Sequence, residues 1–262
     1  MRILAFVNQK GGTAKTTSCL NVGAALSLCG LKCLLVDMDP QGNLSQSAGY
    51  INLGKEDVTT YEVLKGAAIN KAIRTKGTKG GHTYDVLPAD VRLSAAEVEL
   101  VNERRRNYIL KEALTSIKTK YDFILIDCPP SLNIFSLMAL TAATEVIIPV
   151  QAQFLPLQGV AMVRDTISIV RQRFNPGLQI GGVLLTFFDE RRNLDHDVLE
   201  ALNASFKGKV FNVKISQNTK LAEAPCQGKD VFEYSGNSRG AYQYKRLAAE
   251  IIGHESTEEE AE

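Results

Sequence analysis

The sequence has no tryptophan, only three histidines, and five cysteines that are odd in number and widely scattered. Cysteines spaced in this way do not match a metal site, and an odd count argues against a disulfide scaffold, so we expect reduced thiols. No apolar run approaches the ~20 residues that a transmembrane helix needs. The apolar stretch 3–7 leads directly into a polar loop, which is typical of a buried strand and not of a signal peptide.

Charge is nearly balanced, but it is unevenly distributed along the 262 residues. The stretch Glu255–Glu262 contains five acidic residues and no basic ones. Without it, 24 of the 29 Asp and Glu remain against 30 Lys and Arg, so residues 1–254 carry a net charge of +6. We expect a single domain over residues 1–254, weakly suited to a polyanion, and a disordered acidic tail over residues 255–262.

Short β-branched runs alternate with amphipathic stretches from one end of the chain to the other. We predict strands at Arg2–Asn8, Cys33–Asp37, Tyr84–Leu87, Phe123–Asp127, Glu145–Val150, Ile180–Leu185 and Val210–Val213. We predict helices at Lys15–Cys29, Asn102–Thr119, Ile134–Ala142, Leu157–Phe174, Asn193–Phe206 and Arg239–Ile252, and a surface turn at Lys76–Gly81. The alternation indicates an α/β fold with a doubly wound, mostly parallel sheet covered by helices on both faces.

Residues 8–17, Asn-Gln-Lys-Gly-Gly-Thr-Ala-Lys-Thr-Thr, lie between the first strand and the first helix and have the features of a phosphate loop. Consecutive glycines let backbone N–H groups turn toward an anion, above the positive end of the helix dipole. Lys15 would then reach the β- and γ-phosphates, and the Thr16 hydroxyl would coordinate Mg²⁺. Gln9 and Ala14 occupy the two glycine positions of the strict motif, and a turn that only joins strand to helix is the weaker alternative. The predicted nucleotide contacts in this loop are Gly11, Gly12, Thr13, Ala14, Lys15, Thr16 and Thr17.

Lys10 before the two glycines, followed by Lys15 and Thr16, resembles the deviant Walker A motif of the ParA/MinD superfamily of ATPases. Further motifs similar to this superfamily extend over nearly the whole chain, at Val36–Gly42, Ile126–Ser131, Pro149–Gln151, Ala222–Pro225 and Ser238–Ala241. The full set is most similar to the ParA/Soj branch, which segregates chromosomes, plasmids or other large cargo. The resemblance implies a P-loop ATPase domain, with ATP and Mg²⁺ as its cofactors.

The resemblance also implies roles for charged residues near the loop. Asp127 ends an apolar strand at the Walker B position, where a carboxylate can hold Mg²⁺. Asp39 is assigned to orienting the attacking water, while Asp37 supports the metal shell or the loop, with a strand-end cap as its alternative. Lys10 would cross the interface of an ATP-bound homodimer and contact the partner's ATP, so that loss of the γ-phosphate loosens the dimer. Its alternative is a solvated surface lysine.

Relatives of the ParA/Soj branch bind double-stranded DNA without sequence preference as the ATP dimer, and that binding should depend strongly on salt. The matching basic residues are Arg191 and Lys220, with Arg239 as a further candidate. The chain departs from its relatives at Ser216–Gln217, where they often have Pro-Arg, and so has one positive charge fewer there. The resemblance further implies a ParB-type adaptor protein that stimulates hydrolysis, and a cytoplasmic, nucleoid-associated location.

The resemblance implies an adenine contact at Asn218, for which a backbone cap is the alternative. A MinD-like membrane helix is disfavoured, because the apolar stretch Leu247–Ile252 runs into glutamates that anionic lipid repels. We expect no fused DNA-binding domain before the first strand.

Three other functions remain as alternatives. A redox ATPase resembling nitrogenase iron protein needs two exposed cysteines, whereas only Cys128 lies beside a switch aspartate. A small-molecule kinase or synthetase would need an acceptor site, which the three histidines do not suggest. A nucleotide-gated binding module with little turnover stays open because of Ala14.

Overall fold

The computed structural model describes residues 1–152 and 156–253, so the predicted acidic tail at 255–262 lies outside the described residues. Its strands are β1 (Arg2–Phe6), β2 (Cys33–Asp37), β3 (Arg74–Gly77), β4 (Thr83–Leu87), β5 (Phe123–Asp127), β6 (Glu145–Gln151) and β7 (Gln179–Thr186). Its α-helices are α1 (Lys15–Leu28), α2 (Asn43–Ser47), α3 (Thr60–Leu64), α4 (Leu93–Glu99), α5 (Ile109–Thr115), α6 (Ile134–Ala142), α7 (Pro156–Arg173), α8 (Asn193–Ser205), α9 (Thr219–Glu223), α10 (Val231–Ser235) and α11 (Arg239–Gly253).

The strands form one sheet in the order β3-β4-β2-β5-β1-β6-β7, in which β3 is antiparallel to β4 and the other pairs are parallel. From β1 the chain passes through α1 to β2, whereas from β5 it passes through α6 to β6 on the opposite side. The two connections diverge at the carboxyl ends of β1 and β5, which is where open α/β sheets bind their ligands. The predicted doubly wound α/β fold is confirmed.

Both faces of the sheet are buried, and the alternation of side chains along the strands explains why. In β1, Leu4 and Phe6 pack with α1 and α11, whereas Ile3 and Ala5 pack into the opposite core beneath α5, α6 and α7. A strand whose two faces both contact helices has no position for a charged side chain until it ends. In the central strands, Asp37 and Asp127 accordingly come last, at the ends of β2 and β5, where the site is found.

The hairpin of β3 and β4 is held against the segment before α10 by polar contacts. Within the hairpin turn, His82 places its Nε2 atom 3.0 Å from Asp230 Oδ2, with both side chains almost fully buried. Lys76 Nζ donates a 3.0 Å hydrogen bond to the Gly228 carbonyl. Asp230 also caps α10 by accepting the backbone N–H groups of Phe232 and Glu233, each at 2.9 Å. One carboxylate therefore joins the sheet edge to a helix.

Two predicted elements are wrong. Val210–Val213 is not a strand, because only isolated bridges form near it and the N–H groups of Asn212 and Val213 donate to the Glu250 carboxylate instead of a neighbouring strand. The predicted helix Asn102–Thr119 is shorter: a 3-10 turn at Arg106–Tyr108 precedes α5. Its apolar face begins only at Ile109, so the residues before it have little to bury.

The sequence analysis also missed β3, whose residues Arg74-Thr-Lys-Gly77 include no apolar side chain. An edge strand of this kind has no alternation of apolar and polar residues, so the sequence pattern could not predict that it pairs with β4. The predicted surface turn at Lys76–Gly81 instead begins within β3 and ends at Gly81, which has φ +83°. Among the described residues, no helix is both long enough and apolar enough to cross a membrane.

Candidate functional site

The loop between β1 and α1 is held in shape by the side chain of Asn8. That side chain is buried, its Nδ2 donates 2.6 Å to the Pro149 carbonyl, and its Oδ1 accepts the Lys10 N–H at 3.0 Å. Gly12 has φ +73° and Ala14 has φ +61°, so two left-handed residues curl the chain around its own N–H groups. The arrangement is the concave backbone nest that binds anions.

Lys15 lies beneath this loop and is only 7% exposed. Its Nζ donates a 3.1 Å hydrogen bond to the Lys10 carbonyl, which leaves donor capacity directed at the loop. Burial lowers the pKa of Lys15, while the charges of Asp127, Cys128 and Asp39 act in the opposite direction. An ammonium group already stripped of water interacts more strongly with a phosphate than a solvated one does.

Thr16 and Asp127 meet across the strand ends of β1 and β5. The Thr16 hydroxyl donates a 2.7 Å hydrogen bond to Asp127 Oδ2. Asp127 is fully buried, and its Oδ1 has no hydrogen-bond partner within residues 1–152 and 156–253. Burial and the neighbouring Asp37 charge raise the pKa of Asp127 well above its usual range. A buried carboxylate oxygen without a partner, next to a threonine hydroxyl, fits a hard cation such as Mg²⁺ or its bound water.

Asp37 is the last residue of β2 and Asp39 lies just beyond it, after Met38, but the surroundings of the two aspartates differ. Asp37 is fully buried: its Oδ1 accepts the Asp39 N–H at 3.0 Å, and its Oδ2 accepts the Ser45 N–H and hydroxyl at 2.9 and 2.6 Å. Burial raises the pKa of Asp37 to about 7, against these hydrogen bonds, which lower it. Its contacts match the strand-end cap that the sequence left as an alternative to a metal ligand.

Asp39 is 6% exposed and its Oδ1 accepts the Gln41 N–H at 2.9 Å. Because Asp37 binds the backbone of Asp39 on one side and of Ser45 on the other, it fixes the whole turn that carries Asp39. Ser45 extends this support, since its hydroxyl also accepts the Ala89 N–H at 2.8 Å. Sequence analysis missed Ser45, and no motif would have revealed it.

A small cavity adjoins the phosphate loop on the α11 side of the sheet. It is lined by Ala14, Thr17, Thr186, Phe187, Ile215, Ser216, Asn218, Leu221, Ala222 and Tyr244. Asn218 lines this cavity. Its Oδ1 caps α9 by accepting the Lys220 N–H at 2.8 Å, which is the alternative role that the sequence left open. Thr186, missed in the sequence, joins cavity and loop because its hydroxyl lies 3.2 Å from the Thr13 carbonyl.

The predicted basic residues do not all lie together. Arg191 and Arg239 line one open groove, together with Arg192, which the sequence analysis missed. Arg191 is 88% exposed and forms a 2.8 Å ion pair with Asp189, while Arg239 lies 3.9 Å from Glu190. Lys220 does not line this groove; it pairs with Glu223 at 2.8 Å.

The similarity of this chain to known proteins identifies its family. The family model described as "AAA domain" matches residues 1–180. The chain is 44% identical to the chromosome-partitioning ATPase Soj of Treponema pallidum over 97% of this chain and 98% of that protein. It is 42% identical to the chromosome partitioning protein ParA of Caulobacter vibrioides over 97% of this chain and 95% of that protein. The chain belongs to the ParA/Soj family of partitioning ATPases.

A solved structure extends the likeness beyond this family. Cobyrinic acid a,c-diamide synthase from Mycobacterium smegmatis, solved with an ATP analog and magnesium bound, has a TM-score of 0.84 and 36% identity to this chain. The match covers 98% of this chain and 96% of that one. The same fold is therefore also found in a protein named as a synthase.

Two features bear on the iron–sulfur alternative. Cys128 follows Asp127 directly but is 1% exposed, and burial raises the pKa of its thiol well above the usual range. No cluster of three or more candidate metal-ligating residues occurs in the part of the chain that the structure describes. Cys128 is a packed thiol of the ParA/Soj core.

Proposed function

We propose that this ParA/Soj ATPase binds ATP with Mg²⁺ at the β1–β5 strand ends and hydrolyses it to ADP and phosphate as part of a cargo-positioning cycle. The observation that carries the proposal is the Thr16–Asp127 contact of 2.7 Å with its unpartnered, fully buried Asp127 Oδ1. A buried carboxylate oxygen without a hydrogen-bond partner lowers the stability of the fold unless a cation binds to it. The synthase structure contains an ATP analog and magnesium, which supports ATP and Mg²⁺ as the ligands of this chain.

Backbone N–H groups of residues 11–17 and the ammonium of Lys15 would hold the phosphates. The left-handed turns at Gly12 and Ala14 direct those groups inward, and α1 begins at Lys15, with its positive dipole end at the same point. Lys15 is buried before any ligand arrives, so little desolvation cost remains when a phosphate binds. These residues position the triphosphate and neutralise its charge.

Thr16 and Asp127 would hold Mg²⁺, with Asp37 as a more distant supporting charge. When bound, the ion neutralises charge on the phosphate oxygens and orients them. Asp39 would orient the attacking water, because it lies at the same strand edge and its backbone turn is fixed by Asp37. Asp37, with both oxygens engaged by protein donors, acts as a positioning residue for Asp39.

The homodimer is the second part of the proposal. Lys10 is an exposed residue in the turn before Gly11, and its N–H and carbonyl are fixed by Asn8 and Lys15. This places it at the outer edge of the loop, from which it would contact ATP in a facing subunit. A charge supplied in trans couples assembly to hydrolysis, as an arginine finger does.

The adenine base would occupy the cavity beside the loop, where Asn218 supplies a polar contact and Tyr244 an apolar wall. The ATP dimer would bind double-stranded DNA through the groove that holds Arg191 and Arg239, with Lys220 on a neighbouring surface. A ParB-type adaptor would stimulate hydrolysis and release the dimer from DNA. This cycle would take place in the cytoplasm, on the nucleoid.

The proposal is tested first with Lys15→Ala. We expect no measurable ATP binding in calorimetry, because the variant removes the buried ammonium that faces the phosphates. Lys118→Ala, which removes an exposed lysine far from the loop, is the matched control and should bind as the unmodified protein does. Tight ATP binding by the Lys15 variant would refute the loop assignment.

A second candidate is a nucleotide-gated module with little turnover. Its support is Ala14, which has φ +61° and forces a methyl group into a left-handed position usually taken by glycine. If turnover is negligible even with DNA and adaptor present, while ATP-dependent dimers persist, this candidate replaces the hydrolytic cycle.

A further inference from the structure

One side of α11 carries an exposed stripe along its whole length. Arg239, Tyr242, Arg246, Ala249 and Gly253 are all exposed and lie three or four residues apart, so they share one face of the helix. The Arg246 guanidinium lies 5.9 Å from the Tyr242 ring centroid. The only charged residues among these five are two arginines, Arg239 and Arg246, whereas the opposite face of α11 packs against α1.

The segment Asn212–Gln217 runs beside this stripe, in a register set by two contacts. Near the end of α11, the Asn212 N–H donates 2.7 Å to the Glu250 carboxylate. Near its start, the Ser216 N–H donates 3.1 Å to Gln243 Oε1. Lys214 lies between these two contacts, with its Nζ 6.0 Å from the ring centroid of Phe188.

Arg246, Lys214 and Arg239 therefore define a basic track that leads along α11 into the arginine-lined groove. Phe188 and Arg239 both line that groove, so the track and the groove are continuous. Two acidic residues border the track. Glu250 accepts backbone N–H groups of Asn212 and Val213, and Glu190 lies 3.9 Å from Arg239. The track accordingly keeps a positive excess that suits an extended acidic chain.

We propose that the acidic segment Glu255–Glu262 of this same chain docks along the basic track and competes there with DNA phosphates, an inference that rests on the proposed DNA binding. The segment follows Gly253 directly and contains five glutamates without a basic residue. It matches the track in charge, and it starts at the track's own end.

The geometry allows the segment to reach the groove. Arg239 and Gly253 are separated by about 21 Å along the helix axis, at about 1.5 Å per residue. The nine residues 254–262 extend to about 30 Å at about 3.3 Å each. The extended length exceeds the helix span by about 9 Å, which leaves residues for the chain to reverse direction after Gly253 and still reach Arg239. The docked segment is a built-in competitor of low affinity but high effective concentration.

Docking is tested without DNA by zero-length carbodiimide cross-linking of the full chain at low concentration. This reagent joins a carboxylate to an amine in contact, so we expect amides between residues 255–262 and Lys214 or Lys245, identified by mass spectrometry. The cross-links should fade at high salt. Cross-links found only to Lys32 or Lys120, or only between two copies of the chain, would overturn the fold-back.

The competition is tested with a variant in which all five glutamates of the segment are replaced by Gln, at Glu255, Glu258, Glu259, Glu260 and Glu262. We expect its affinity for a DNA duplex at low salt, with ATP, to rise about tenfold, from two or three lost surface ion pairs. The matched control replaces the same five residues by Asp, which keeps the charge, and should leave affinity unchanged. Equal affinity of the Gln variant and the original chain overturns the inference.

The two tests separate this inference from the proposed function. If the cross-links form but neither chain binds DNA, docking stands and the proposed DNA binding fails. If both chains bind DNA equally and no cross-link to Lys214 or Lys245 forms, DNA binding stands and docking fails.

Discussion

The nucleotide site and the arginine-lined groove both rely on charge, yet they place it in opposite surroundings. In the site, Lys15, Asp37 and Asp127 are buried, and their hydrogen bonds fix each side chain in place. In the groove, Arg191 is 88% exposed and pairs with Asp189, a neighbour in the same loop. Charges in the first region are preorganised and poorly screened, whereas those in the second are exposed to solvent, where salt weakens their interactions. Substitutions in the two regions should therefore differ in size and in salt dependence.

The largest expected effect is in the buried site. Asp39→Ala should lower ATP hydrolysis about a thousandfold while ATP binding and ATP-dependent dimerisation persist, because the residue is assigned to the water and not to the phosphates. Phosphate release and light scattering measure the two properties. Asp165→Ala, at an exposed position of α7, is the control. A monomeric Asp39 variant in saturating Mg·ATP would count against the role.

The effect of burial on a hydrogen-bonded aspartate can be measured apart from catalysis. His82–Asp230 and Arg191–Asp189 have similar distances, 3.0 and 2.8 Å, but the first is buried and the second exposed. Asp230→Ala should lower the free energy of unfolding by about 3 kcal/mol, because it leaves His82 buried without its hydrogen-bond partner and removes the α10 cap. Asp189→Ala should leave the denaturation midpoint nearly unchanged. Equal midpoints for the two variants would break the comparison.

The same pair gives a pH dependence. Although burial acts to raise the pKa of Asp230, hydrogen bonds from His82 and from the α10 backbone hold it below its ordinary value. A carboxyl group with a depressed pKa in the folded state contributes stability above its unfolded pKa of about 3.9 and loses it as the pH falls through the folded value. Unfolding of Asp230→Ala should therefore be less sensitive to pH below about 4 than that of the original chain.

In the groove, the expected change is smaller and depends on salt. Arg191→Glu or Arg239→Glu should weaken duplex DNA binding about tenfold near 0.1 M salt and reduce the salt slope by about one phosphate contact each. Basal ATP hydrolysis should not change. Arg173→Glu, the same charge reversal at the exposed last residue of α7, is the control. Unchanged binding in gel shifts by the groove variants would remove the groove from the DNA interface.

The smallest expected effect concerns the loop backbone. Ala14→Gly should raise the free energy of unfolding by about 1 kcal/mol, because glycine adopts φ +61° without the cost that a methyl group imposes. Ala24→Gly in the buried interior of α1 makes the same chemical change at an ordinary helical position and should destabilise by a similar amount. A destabilised Ala14 variant would mean that the methyl group packs favourably in the nucleotide cavity.

Most of the parallel sheet could be predicted because its strands are buried on both faces and read as apolar runs between amphipathic helices. Cys33–Asp37 and Phe123–Asp127 have the predicted bounds, while β3 could not be found because an exposed edge strand has no apolar signal. The segment Val210–Val213 was predicted as a strand from its side chains alone. Its hydrogen-bond partner turned out to be a glutamate on a distant helix, which no local pattern records.

For the site, the sequence by itself determined the phosphate loop and its family, because glycines, a lysine and a threonine must be adjacent in the chain to form such a loop. Only the tertiary structure decided which distant residues meet there. Thr16 contacts Asp127 across 111 residues, Ser45 holds Asp37, and Arg191 joins Arg239 but not Lys220 in one groove. Such contacts arise from strand order and helix packing, which depend on the burial of the whole chain and not on the spacing of any motif.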